Sequence, residues 1–149
     1  MTNPSKDKGS RWERDACNLL NQRFPGTWKR IAMSGAIGTQ LNIPILRPDA
    51  VGEYSHYPQK FVAEAKVGYG GKEMKVHKDW FDHIQEVAEE NYAIPLVFLK
   101  FEKSNTGARH IICMTFEVWD KLMSEIKTMS EELNRLHESS GRTLNEDFE

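Results

Sequence analysis

The segment Lys60-Phe61-Val62-Ala63-Glu64-Ala65-Lys66-Val67 constrains the fold most. Strand side chains alternate between faces. Phe61, Ala63, Ala65 and Val67 therefore share an apolar face predicted to be buried, while Lys60, Val62, Glu64 and Lys66 share the other. A second strand-like run, residues 49–54, precedes it across Ser55-His56-Tyr57-Pro58, a hairpin-length loop. If Tyr54 and Gln59 close that loop, Asp49 stands directly opposite Glu64, with Cβ atoms roughly 4.5–5.5 Å apart. Two carboxylates so placed repel unless a cation sits between them or one takes up a proton. A Mg²⁺ ion, which takes carboxylate and carbonyl oxygens at roughly 2.0–2.1 Å, removes the conflict. A one-residue slip would turn the two acids to opposite faces. The plain alternative is an exposed ion-pairing face on an edge strand.

The rest of the chain supplies a frame for this hairpin. Residues 1–9 are predicted to be a flexible basic arm. Residues 10–24 pattern as a helix, with Trp12, Ala16, Leu19 and Leu20 at spacings of a helical face. Ser10-Arg11-Trp12-Glu13 reads as a capping box, and Pro25-Gly26 ends the helix. Residues 28–33 suit a strand, and residues 34–47 a long irregular loop punctuated by Gly35, Gly38 and Pro44. After the hairpin, Gly68-Tyr69-Gly70-Gly71 breaks the sheet. A helix over 76–92, strands over 94–101 and 110–114, and a helix over 115–138 follow. This order predicts an α/β chain with a mixed central β-sheet flanked by α-helices. The domain division is a main body over 10–115, a C-terminal helix over 116–138 that packs on the domain or in a dimer, and an acidic tail over 139–149.

At 149 residues the chain fits one domain. No apolar run approaches the roughly 20 residues of a membrane helix, and the polar amino terminus lacks the core of a signal peptide. Cys17 and Cys113 lie far apart in apolar-patterned segments and read as buried thiols of a cytosolic protein. The net charge of -2 conceals an asymmetry: residues 1–78 hold 13 Lys+Arg against 7 Asp+Glu, and residues 79–149 hold 7 against 15. A basic half beside an acidic half suits local phosphate binding. His56, His77, His83, His110 and His137 form no pair at metal-ligand spacing on one helix face. Gly68-Tyr69-Gly70-Gly71 lacks the spacing of a nucleotide-binding loop and either gives the backbone room to approach a phosphate-bearing partner or makes a flexible connection. Lys72, Lys75 and Lys78 just beyond it suit phosphate contacts.

Pro48-Asp49 followed by Glu64-Ala65-Lys66 resembles the catalytic pattern of PD-(D/E)XK nucleases. Lys8-Gly9-Ser10-Arg11-Trp12-Glu13-Arg14 resembles the amino-terminal motif of archaeal-type Holliday junction resolvases, a branch of that superfamily. Arg30, Ser34-Gly35, Asp49 and Glu64-x-Lys66 then follow in the family's order, and the Ile94-Pro95 opening of a later strand is also similar. The resemblance implies a restriction-endonuclease-like fold. It implies Asp49 and Glu64 as metal ligands, the Ala65 backbone carbonyl as a third, and Lys66 as the catalytic lysine. Glu13 matches a helix-borne acid beside the metal, or is only the partner of Ser10 in the capping box. Ser34 matches a loop serine near the scissile phosphate, or is a solvated loop serine. Arg14 and Arg30 resemble phosphate-facing arginines, and of Lys29 and Arg30 one is expected to be surface charge only. Lys8, Lys72 and Lys75 complete the expected DNA contacts.

The chain departs from the family in three places. The 34–49 loop is longer, Val87, Ala88 and Asn91 stand where some relatives place dimer-core aromatics, and the C-terminal helix is longer and more acidic. In that helix Trp119, Leu122, Ile126, Met129, Leu133 and Leu136 repeat with the spacing of a heptad seam. Packing across the sheet and a dimer-forming arm both accommodate it.

The implied activity is a Mg²⁺-dependent endonuclease, with Mn²⁺ as a substitute, that resolves four-way DNA junctions by paired symmetric cuts. Two symmetric cuts call for a C2 homodimer, acting inside the cell and away from membranes. A restriction-like or repair nuclease would share the site, and a non-cutting DNA-binding protein would share the fold.

Overall fold

Strand pairing around the Glu64 segment organises the whole sheet. A computed structural model describes residues 4–23, 26–31, 40, 43–44, 47–68, 73–101 and 109–140. In chain order its elements are α1 (Pro4–Arg23), β1 (Thr27–Arg30), β2 (Ala50–Glu53), β3 (Phe61–Gly68), α2 (Lys78–Asn91), β4 (Ile94–Phe101), β5 (His110–Cys113) and α3 (Phe116–Ser139). The described strands form one five-stranded sheet in the order β1-β2-β3-β4-β5. β1, β2 and β3 form an antiparallel meander, β3 and β4 run parallel, and β5 returns antiparallel to β4. The sheet is thus mixed, as the element order predicts. A parallel pair needs a long crossover, and α2 supplies it between β3 and β4.

β3 is the middle strand rather than an edge, and this overturns the exposed-face alternative. Its partner β4 carries an unbroken buried run from Ile94 to Leu99, the signature of a strand covered on both faces. On one face Val62, Val97 and Leu99 pack against Ile84, Val87 and Ala88 of α2. Val62, which shares its face with Glu64 and Lys66, is fully buried. On the other face lie Ala63, Ala65 and Phe98, with α1 packed over β1 and β3. There the Trp12 indole N–H donates to the Phe98 carbonyl at 3.3 Å. The small Ala63 and Ala65 let α1 approach, and the aromatic rings fill the space beside them. Trp28 lies 5.2 Å from Phe98 and 6.1 Å from Phe61 between ring centroids.

Trp28 also sets a steric rule at its neighbour. Gly52 pairs with it across β1 and β2, and a Cβ at position 52 would fall 2.3 Å from the indole ring. Overpacking of this kind costs about 1–3 kcal/mol. Gly52→Ala is therefore expected to lower stability by that amount in urea denaturation, and an unchanged midpoint would contradict the packing described.

α1 begins at Pro4, six residues before the expected start at Ser10, so residues 4–9 are the first turns of the helix and not a flexible arm. A proline suits the first helical position because its missing N–H would have no intrahelical partner there. The extension places Ser10 inside the helix, so Ser10 and Glu13 form no capping box. The end of α1 is fastened to the sheet by Asn21, whose side chain donates to the Trp28 carbonyl at 2.9 Å and accepts from the Trp28 N–H at 2.7 Å. α2 closes at Tyr92, in the left-handed region at φ 51°.

The chain divides into two compact units, residues 1–114 and 115–149. The second unit is built on α3, whose N-cap Thr115 accepts from the Val118 N–H at 3.4 Å. The expected tail beyond residue 140 lies outside the described residues. Among the described residues no helix is long and apolar enough to cross a membrane.

Candidate active site

The turn that enters β2 is held from three sides. Pro48 is buried. The Ile31 N–H donates to the Asp49 carbonyl at 2.9 Å, and the Asp49 N–H donates to the Ala63 carbonyl at 3.0 Å. Asp49 is thereby pinned between β1 and β3, one step beyond the β2 ladder. Just before it, Arg47 reaches α2, with its guanidinium 2.6 Å from the Glu90 carboxylate and 3.4 Å from Glu86. The backbone of residues 47–49 is thus clamped before any side chain of the site is placed.

The register of β2 on β3, with Ala50 opposite Ala63 and Val51 opposite Val62, is the one that closing the loop at Tyr54 and Gln59 predicts. Continued by one residue, it sets Asp49 beside Glu64. The Ala65 N–H donates to Asp49 Oδ2 at 2.9 Å, so the Asp49 carboxylate lies along the Glu64-Ala65 peptide. Glu64, with a side chain only 12% exposed, is ion-paired to Lys66 two residues along the same face. The Lys66 ammonium lies over the Trp80 ring, 5.6 Å from its centroid.

The electrostatics agree with this geometry. Burial pushes the Glu64 carboxyl above its ordinary range, and the Asp49 charge pushes it further, while Lys66 and His83 pull the other way. Two acids share a poorly hydrated corner of the sheet, so one divalent cation would relieve both desolvation and repulsion. The donors are hard oxygens, which suit Mg²⁺ or Mn²⁺. The residues present therefore fit a divalent metal, with Asp49, Glu64 and the Ala65 carbonyl as the groups that would hold it.

Glu13 does not join them. Among the described residues no three histidine, cysteine, aspartate or glutamate side chains stand close enough to hold a metal together. Glu13 accepts instead from Arg30 Nε at 2.5 Å, and a second guanidinium nitrogen of Arg30 donates to Ser10 Oγ at 3.0 Å. Arg30 rather than Lys29 faces inward because it pairs with Ala50 on the α1 side of the sheet, and Lys29 is exposed. Arg14 is exposed on α1, and Lys75 is exposed just before α2. Ser34 and Lys72 lie outside the described residues.

Cys17 borders the Glu13–Arg30 pair, and its thiol is pushed up to about 11 by burial and by the Glu13 charge, against the opposing effect of Arg30. A thiol so raised is almost wholly protonated, and the thiolate is the nucleophile. Cys17 is expected to resist alkylation at pH 8 in the folded protein and to react only on unfolding. Mass-spectrometric mapping that found it labelled within minutes in the native state would contradict its burial.

Three residues of the site are not singled out by the sequence reading. Trp80 and His83 reach Lys66 and Glu64 from α2, and Arg47 clamps the turn. The first two share the helical face of Ile84 and Val87 by spacing, which is the available signal. Arg47 carries no signal, because its partners Glu86 and Glu90 are about forty residues away in sequence.

A mixed sheet with helices on both faces defines a restriction-endonuclease-like fold, and Asp49 and Glu64-x-Lys66, at one end of its central antiparallel pair, stand in the order of the PD-(D/E)XK motif. The chain belongs to the family described as "Phage putative PDDEXK endonuclease", whose sequence profile matches residues 4–146. Nucleases of that superfamily typically use divalent metals. Among solved structures, the chain is similar to Hjc of Archaeoglobus fulgidus, a Holliday junction resolvase from an archaeal hyperthermophile. The TM-score is 0.50 and the sequence identity 20%, over 68% of this chain and 72% of that one. That likeness establishes the shared fold. No curated protein matches the chain.

Proposed function

We propose that the chain is a Mg²⁺-dependent, structure-selective DNA endonuclease that resolves four-way junctions by paired symmetric cuts, with Mn²⁺ able to substitute. The observation that carries this reading is the Asp49–Glu64–Lys66 cluster, held by the Ala65 N–H on Asp49 Oδ2, in a member of an endonuclease family. The resolvase fold it shares with the archaeal Hjc supports the choice of substrate.

A divalent ion held by Asp49, Glu64 and the Ala65 carbonyl would supply Lewis-acid polarisation of the phosphate and acidify water. The protein's own groups do the rest. Asp49 and Glu64 present carboxylate oxygens from two paired strands, and their mutual repulsion leaves them complementary to a cation. Lys66, held between Glu64 and the Trp80 ring, is placed to steady the attacking water or the charge that develops on the phosphate. Glu13 acts through Arg30, which it holds towards the α1 side of the sheet. Ser34, Lys8, Arg14, Lys72 and Lys75 are assigned to the DNA backbone. Recognition through phosphates and junction shape gives affinity that falls steeply with salt. Two opposed cuts need two sites in fixed relation, hence a C2 homodimer. Its substrate places the protein inside the cell.

A supercoiled plasmid that extrudes a cruciform tests the paired cut. A dimer that cuts both strands within one encounter is expected to convert supercoiled DNA directly to linear product. Full accumulation of open circles before any linear form would contradict paired cleavage and favour a nuclease that nicks singly.

A further inference from the structure

α3 exposes a continuous apolar stripe. Trp119, Ile126, Met129, Leu133 and Leu136 are each between 49% and 60% exposed, and Phe116 and Met123 are exposed beside them. With Trp119 in the first core position of a heptad, Trp119, Ile126 and Leu133 occupy the a positions and Leu122, Met129 and Leu136 the d positions. The b, c and f positions hold Asp120, Lys121, Ser124, Lys127, Thr128, Glu131, Asn134, Arg135 and Glu138, so the face opposite the seam is polar. One seam, and only one, asks to be covered.

We propose that a second copy of α3 covers it, in a parallel two-stranded coiled coil that joins two chains. This names the surface behind the homodimer of the preceding section. It rests on that reading only for the need of two chains, and not on the metal chemistry.

Three observations select this occupant. The first is area. Seven large apolar side chains about half exposed offer on the order of 700 Å² per helix, close to the roughly 800 Å² per partner of a stable interface. The second is the choice of core residues. The central a position holds the β-branched Ile126, between Trp119 and Leu133, and two of the three d positions hold leucine, Leu122 and Leu136 beside Met129, a combination that leans towards two strands. The third is charge. Glu125, Glu132 and Ser139 occupy the g positions, while Met123, Ser130 and His137 occupy e. In a parallel pair each g residue faces an e residue of the partner, which sets Glu132 against the partner's His137. An antiparallel pair would instead set g against g, Glu125 against the partner's Glu132, and like charges there are destabilising.

The full-length chain in sedimentation equilibrium, with three variants, tests the proposal. The wild type is expected to be a dimer, and Ile126→Glu combined with Leu133→Glu is expected to weaken it by at least about tenfold. Met129→Cys sits at a d position, where parallel chains bring the same residue face to face. It should form a disulfide-linked dimer under mild oxidation, whereas Lys127→Cys on the outer face should not, with the wild type reporting any linkage through Cys17 or Cys113. A monomeric wild type, a double variant that remains fully dimeric, or equal linkage of the two cysteine variants would overturn the proposal. The linkage result stands even if the double variant does not fold. A double variant that stays dimeric and still cuts junctions in pairs would sink the coiled coil alone, whereas a dimer that cuts no DNA would sink the resolvase reading alone.

Discussion

Asp49→Asn and Glu64→Gln are each expected to lower junction cleavage by on the order of a thousandfold or more, while leaving junction binding within a few-fold of wild type. Each substitution keeps shape and removes one charge. The amide introduced by Asp49→Asn would retain a carbonyl oxygen able to accept from the Ala65 N–H, which now donates to Asp49 Oδ2 at 2.9 Å, so the turn should stay in place. At position 64 burial already disfavours the charged carboxylate, so a neutral amide should not unfold the protein. What both variants lose is the negative charge that would hold a divalent ion. Single-turnover cleavage beside fluorescence-anisotropy binding checks this, and either variant cutting at the wild-type rate would refute the metal assignment.

Trp28→Ala is expected to cost about 3–5 kcal/mol of stability, the range for truncating a buried aromatic residue. Trp28 is almost wholly buried, and it touches Phe98 and Phe61 on the α1 face of the sheet. Its indole N–H donates to the Tyr54 hydroxyl at 2.8 Å, and its backbone is bracketed by Asn21. The loss is a large share of the roughly 5–15 kcal/mol that holds a domain folded, and it should lower the urea midpoint by roughly 2 M. The consequence reaches the site, because β1 carries Arg30 and its continuation at Ile31 bonds the Asp49 carbonyl. A variant with an unchanged midpoint would show that the aromatic cluster does not anchor the meander.

The hairpin was legible because its two determinants are local. Alternation in the Lys60–Val67 segment and a short loop fix the register, and the structure pairs Ala50 with Ala63 as that register requires. The unbroken apolar run of β4 and the heptad spacing of α3 are similarly local, and both elements fall within a residue or so of their expected bounds. The start of α1 misled because Ser10-x-x-Glu13 has the residues of a capping box, and helix continues through the residues before it. The covering of the Glu64 face was not legible, since it depends on where α2 lands, and so Trp80 and His83 emerged only from the fold. The choice between Lys29 and Arg30 likewise waited on the pairing of β1 with β2, which turns Arg30 towards Glu13.

Junction resolution is tested by cleavage of a labelled four-way junction beside a matched linear duplex, with Mg²⁺ and with EDTA. Symmetric nicks on opposed strands of the junction are expected, dependent on Mg²⁺ and abolished by EDTA, with the duplex left intact. Cleavage of junction and duplex alike, or cleavage that persists in EDTA, would contradict it.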